Sequence, residues 1–330
     1  MGIPDDSKHT DYSFTERGFL LQLQFLGTSA GRPTKERNVT SIVLAMPEPH
    51  NFFWMFDAGE GTQHRLLETR LKLNKLERIF ITHLHGDHLY GLPGLLSSRT
   101  YNEGSGPLHV YGPKGLRSYI ECVFQTSKTH LNYELEVIEV EEGQIFSDDS
   151  FTVEAAELDH RIRCFGYRIE ERPRPGQLNV DLLSRLGVLP GPSYGKLKRG
   201  EDLTLPNGQI IYSSEVVGQP VKGRIVTILG DTCPCDNATS LAKDADLLVH
   251  EATFAAGMEE KAAAYGHSTI LQAAQIAADA RVKQLAVTHF SSRFDSTEVD
   301  ALIQSVNAVF SNVVAAHDFL ELSVPKQITS

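Results

Sequence analysis

The sequence predicts an α/β protein, a layered sandwich in two halves with a long arm between them. Three observations carry that expectation. Short apolar runs alternate with helical patterns through most of the 330 residues. Histidines and aspartates stand where several of those runs meet loops. Between about 172 and 221 the alternation stops and Pro and Gly punctuate the chain.

In chain order, LLQLQFLG (20–27), TSIVLAM (40–46) and NFFWMFDAG (51–59) read as strands ending in turn residues. A helical stretch over 62–70 precedes strand LERIFITH (76–83). Then come a helix over 89–99, strand PLHVYG (107–112) and a helix over 116–125. ELEVIEV (134–140) and SFTVEAAEL (150–158) are strands again. The C-terminal half repeats the style with RIVTILGD (224–231), DLLVHEA (246–252), a helix over 269–280, QLAVTHF (284–290) and FLELSV (319–324). The arm carries RPRPGQLN, VLPGPSYG and LPNG and no apolar strand of useful length. Loops that long are usually functional or flexible.

Composition narrows the class. Hydrophobic residues at 41% and charged residues at 22% are globular values that exclude disorder. No apolar run approaches the roughly 18 residues that span a bilayer, so no membrane association is expected. The first twenty residues have no apolar core and do not read as a secretory signal. Four cysteines make no disulfide framework, and a cytoplasmic protein is expected. A net charge of −11 argues against non-specific nucleic-acid binding, because phosphate contacts need Lys and Arg. Yet residues 161–200 hold nine basic and three acidic residues, a basic island in an acidic chain.

The strongest chemical signal is His83-Leu84-His85-Gly86-Asp87-His88, directly after a strand. Side chains two apart on extended backbone share a side, so His83 and His85 can grip one cation. Gly86 permits a sharp turn, after which Asp87 and His88 face the same pocket. Four donors in six residues exceed what one tetrahedral ion takes from one loop, which suggests two ions. Imidazole with carboxylate suits zinc, with manganese or another divalent ion as the alternative. His160, Asp231 and His289 close three other apolar runs and are the expected remaining ligands, with Asp231 placed to bridge.

Other residues have plainer readings. Asp57 is either a support for the histidine loop or a turn residue, and Gly59 and Gly61 are turn glycines without a nucleotide-binding fingerprint. No nucleotide cofactor is expected. Cys233 and Cys235 read as loop thiols, His250 as structural, and Glu251 as a weak candidate to orient His267. Arg32, Lys35 and Arg37 sit in one basic loop, Lys196, Lys198 and Arg199 in the arm, and Arg293 after THFSS; all seven are candidate phosphate contacts, and RNA contacts by the resemblance that follows.

The motif THLHGDH resembles that of the metallo-β-lactamase superfamily. FLGTSAGRPTKERN (25–38), FDAGEGTQ (56–63), PLHVYGPKG (107–115), GDT (230–232), HEAT (250–253), GHS (266–268) and THFSSR (288–293) narrow the likeness to the ribonuclease Z family. It runs from about residue 23 to 324. The resemblance implies a four-layer αβ/βα sandwich over 22–330, with residues 1–21 as an extension and 172–221 as a flexible exosite. It implies one zinc held by His83, His85, His160 and Asp231 and a second held by Asp87, His88, Asp231 and His289. It further implies a homodimer that removes the 3′ trailer from precursor tRNA, with one subunit's arm holding the tRNA that the other cuts.

The expected mechanism follows from charge. Two cations offset the anionic phosphodiester and bring the pKa of water from about 15.7 to about 7. Hydroxide then attacks phosphorus in line, Asp87 orients it and takes its proton, and His267 is the candidate acid for the leaving 3′ oxygen. The products would be a 3′-hydroxyl on the tRNA and a 5′-phosphate on the trailer, with exonuclease or general phosphodiesterase action as a further expectation. A hydrolase of small esters, lactams or thioesters would share the histidine motif without needing a basic arm. A non-catalytic RNA binder would have no use for an intact ligand set.

Overall fold

The computed structural model of the chain describes residues 21–46, 48, 50–103 and 106–326. The expected extension therefore lies outside the described residues up to position 20, and Leu21 already opens the first strand. Two seven-stranded sheets form the centre. In chain order their strands are β1 (Leu21–Gly27), β2 (Ser41–Ala45), β3 (Phe53–Phe56), β4 (Leu76–Phe80), β5 (Leu108–Gly112), β6 (Leu135–Glu139) and β7 (Gly143–Ser147). The rest are β8 (Phe151–Leu158), β9 (Cys164–Glu171), β10 (Ile225–Ile228), β11 (Leu247–Glu251), β12 (Leu285–Thr288), β13 (Val313–Ala315) and β14 (Glu321–Val324). The first sheet runs β14-β1-β2-β3-β4-β5-β6 and the second β13-β12-β11-β10-β9-β8-β7.

Side-chain alternation builds the layers. In β3, Trp54 and Phe56 point into the core between the sheets, while Phe53 and Met55 point out under helices. All four are buried because helices cover the outer face as well. The inter-sheet core is aromatic, with Phe56, Phe80 and Tyr111 stacked at centroid distances of 5.0 and 4.9 Å. Helices Leu92–Arg99 and Leu116–Ser127 bury Leu92, Leu95, Leu96, Leu116 and Ile120 on the first sheet. Helices Asp236–Ala242, Ile270–Asp279 and Ser296–Val306 cover the second. The result is four layers, αβ/βα, as expected.

Parallel pairing sets up the site. β3, β4, β5 and β6 run parallel in one sheet, and β10, β11, β12 and β13 in the other. The carboxyl ends of such strands are where α/β folds place ligands. His83 lies just beyond β4, Asp231 beyond β10, and His289 directly after β12.

The arm differs from the loop that its Pro and Gly suggested. It contains helices Val180–Arg185, Pro192–Lys198 and Ser213–Val216 and a small hairpin pairing Leu203–Thr204 with Ile210–Ile211. Leu183, Val188, Leu197, Ile211 and Val216 make a small core of its own. Each helix is two turns or less, too short for a 3.6-residue period to register. At its root, Arg174 pairs with Val221 and the buried Glu171 accepts from Arg224 Nε at 2.7 Å and Arg174 Nη2 at 3.0 Å. Arg224 Nη1 also donates to the Val324 carbonyl at 3.1 Å, tying the root to β14. A Cβ at Gly223 would overlap the Glu171 carbonyl, so only glycine lets the two roots approach this closely.

Candidate metal centre

Asp57 organises the histidine loop from below. It follows β3 in a left-handed conformation (φ 59°), and its carboxylate accepts from Thr82 N at 2.7 Å, Thr82 Oγ1 at 2.8 Å and His88 Nδ1 at 2.7 Å. It is both loop support and turn residue. Gly59 is more than a turn glycine, because a Cβ there would come within 2.3 Å of the Asp87 carbonyl.

Hydrogen-bond partners settle most of the tautomers. His160 Nδ1 lies 2.6 Å from the Gly266 carbonyl, which can only accept, so Nδ1 carries the hydrogen. His88 and His267 face carboxylates through Nδ1, Asp57 at 2.7 Å and Glu251 at 2.9 Å. The Thr82 hydroxyl donates to Asp57 and so accepts from His83 Nδ1 at 3.0 Å. Thr253 donates to Glu251 and accepts from His289 Nδ1 at 2.9 Å. The four expected ligands among them, His83, His88, His160 and His289, are each left with Nε2 free to present a lone pair. Such outer partners fix ring orientation and raise ligand basicity.

Those lone pairs converge. His88 Nε2 and His289 Nε2 are 3.2 Å apart, and His160 Nε2 is 3.2 Å from His85 Nδ1. Asp231 sits among them, with Oδ1 at 3.5 Å from His88 Nε2 and Oδ2 at 3.7 Å from His83 Nε2 and 3.5 Å from His289 Nε2. Asp87 Oδ2 is 3.2 Å from His289 Nε2 and accepts from the Gly31 amide at 2.7 Å. His83 Nε2 is fully buried and has no hydrogen-bond partner among the described residues. A buried acceptor without a donor is costly, and facing lone pairs repel. A cation on each side of Asp231 resolves both problems, so the donor set fits divalent metal. His83, His85 and His160 cluster on one side and Asp87, His88 and His289 on the other.

Electrostatics follow the same geometry. Burial pushes His83, His85 and His160 below the ordinary histidine value. Burial alone would raise Asp87, but His88 and His289 outweigh it and hold its carboxyl well below the usual carboxylate range. Burial opposes charge on His267 too, yet the Glu251 hydrogen bond and charge push it up to about 9. Glu251 is itself fully occupied, accepting also from Thr232 N, Ser268 N, Thr253 N and Thr253 Oγ1.

The structure thus brings together all seven expected ligands and sets His267 beside them, 3.8 Å from Asp231. Cys233 and Cys235 are free thiols and belong to no ligand group among the described residues. His250 is buried with Nδ1 on the Glu251 carbonyl. Arg32 is exposed and donates to Ser292 at 3.2 Å, next to the exposed Arg293, and Lys35 is exposed on the same loop. Arg37 turns inward instead, with Nη1 on Thr28 Oγ1 at 2.8 Å and the Ala316 carbonyl at 2.7 Å. Lys196, Lys198 and Arg199 are exposed on the arm. Thr82, Thr253 and the Gly31 amide escape sequence reasoning, since a hydroxyl or amide gains its role only from a distant partner.

Known proteins decide the family. The chain is 49% identical over 306 residues to Ribonuclease Z of Bacillus licheniformis, covering 93% of this chain and 100% of that protein. It belongs to the ribonuclease Z family. Ribonuclease Z of Bacillus subtilis strain 168 matches to the same extent, 49% over 306 residues with 93% and 100% coverage. Among solved structures, the human tRNase Z short form superposes with TM-score 0.66 at 30% identity, covering 92% of this chain and all of that one. The metallo-β-lactamase fold protein YhfI of Bacillus subtilis superposes with TM-score 0.63 over 92% of this chain and 99% of that one, a likeness of fold at 18% identity. A family profile described as Anti-Pycsar protein Apyc1 matches residues 21–172, the first half alone. The fold is the metallo-β-lactamase αβ/βα sandwich, here in its ribonuclease Z form.

Proposed function

We propose that this ribonuclease Z family enzyme is a tRNA 3′-processing endoribonuclease that uses two zinc ions per subunit to remove the trailer from precursor tRNA. The observation that carries the reading is the two ligand clusters on either side of Asp231, in a chain 49% identical to Ribonuclease Z of Bacillus licheniformis over 306 residues. His83, His85, His160 and Asp231 would hold one ion, and Asp87, His88, Asp231 and His289 the other. Bound there, the two ions would offset phosphodiester charge and make water nucleophilic near neutral pH.

The chain's own groups supply the rest. Asp87, anchored by the Gly31 amide, orients the attacking water and takes its proton at Oδ2. His267 is held by Glu251 through Nδ1, and its Nε2 gives a proton to the departing 3′ oxygen. Arg32, Lys35 and Arg293 line the approach as phosphate contacts, and the inward Arg37 braces their loop. Residues 22–330 act as one domain, with the arm at 172–221 presenting Lys196, Lys198 and Arg199 to the tRNA body. In a homodimer, one subunit's arm would hold the tRNA that its partner cuts, in the cytoplasm. The same cage would also open small phosphodiesters.

Cleavage of a 3′-extended precursor tRNA tests the reading. The expected products are a tRNA ending in a 3′-hydroxyl and a trailer bearing a 5′-phosphate. Hydrolysis of small esters, lactams or thioesters with no RNA cleavage would replace it with the small-substrate hydrolase.

A further inference from the structure

We propose that Tyr90 is a stacking platform for an unpaired base beside the scissile phosphate, a positioning role that rests on the nuclease reading above. Tyr90 caps the helix Gly86–Leu89, the element that carries Asp87 and His88. Its amide donates to the Gly86 carbonyl at 2.8 Å, so its backbone is fixed to the ligand loop. The side of the ring toward the loop is supported. A Cβ on Gly86 would come within 2.3 to 2.6 Å of three ring carbons, so the ring lies where any other residue's side chain would begin. Tyr90 as a whole is 65% exposed.

Position makes this exposure useful. Gly86 stands between His85 of one cluster and Asp87 of the other, so the ring is seated on the residue at the border between them. A phosphate held over the cage leaves its flanking bases within reach of that border. Single-stranded RNA ends are read by stacking unpaired bases on aromatic faces. Stacking also tolerates any base, so the platform would not depend on the sequence of the trailer. A tyrosine ring has few torsions to freeze, and this one is already seated on Gly86.

Steady-state cleavage of precursor tRNA tests this with Tyr90→Ala and Tyr90→Phe, on substrates intact or abasic at either nucleotide flanking the cut. The alanine variant is expected to lose about ten-fold in kcat/KM, chiefly through KM, and phenylalanine to retain activity. An abasic site at the stacked nucleotide should cost the wild type a similar factor and the alanine variant nothing further. Unchanged kcat/KM in the alanine variant, or a loss that persists in full on both abasic substrates, overturns the platform. Should the alanine variant fail to fold, the wild type decides alone, and indifference to both abasic substitutions overturns the proposal. Absence of cleavage by the wild type would instead remove the nuclease reading.

Discussion

His267 and Glu251 show how one proton is placed. Glu251 is 1% exposed and accepts from five donors, so it cannot turn away from the His267 ring. Replacing His267 with alanine should lower single-turnover cleavage by about 10² to 10⁴-fold, the range for a positioned acid, while precursor binding changes little. A loss expressed through affinity alone removes the residue from the acid role. At this scale the sequence was legible where residues cluster locally. His83, His85, Asp87 and His88 announce themselves by spacing, and His160, Asp231 and His289 by closing apolar runs. Asp57 stayed ambiguous, because its three bonds run to Thr82 and His88, some 25 and 31 positions away. Arg37 looked like a free cation in a basic loop, and only the fold reveals Thr28 and Ala316 as its partners.

The arm is the element with most still to test. Its small core and its own hairpin make it a unit hung from two roots, so removing residues 175–215 leaves both sheets untouched. Deletion should weaken precursor tRNA binding while hydrolysis of bis(p-nitrophenyl) phosphate stays largely intact. Equal damage to both would make the arm part of the scaffold. The roots carry a second expectation. Glu171 is buried, which alone would raise its carboxyl, but Arg224 and Arg174 outweigh that and hold it below the ordinary 4.5. A depressed carboxylate stabilises the fold above its unfolded pKa and loses that contribution as pH falls through its folded pKa. Glu171→Gln leaves the Arg224 charge without its counter-ion, which should cost about 3 to 5 kcal/mol at pH 7. Chemical denaturation should find the gap narrowing as the medium is acidified below about pH 4.5, the ordinary glutamate value; a constant gap would exclude the linkage. Elements proved legible when apolar period and length agreed, as in the helix Leu116–Ser127 and strand β8. The three-residue β13 and the arm's short helices are set by tertiary packing, and local pattern does not reveal them.

At the scale of the molecule, two sheets pack through an aromatic core and bring the carboxyl ends of their parallel strands to one edge. The alternation of strands and helices made this architecture readable, and the histidine and aspartate motifs lie at that edge. Among the described residues no helix is long and apolar enough to cross a membrane. The site joins the halves physically. His83, His85, Asp87 and His88 come from the first half, and Asp231 and His289 from the second. Asp231 lies between the two clusters, where one carboxylate would serve both of the proposed ions. Elemental analysis of purified enzyme that is active on precursor tRNA, after dialysis against metal-free buffer, tests that claim most directly. Two transition-metal ions per chain are expected, and full activity without stoichiometric metal would contradict the account.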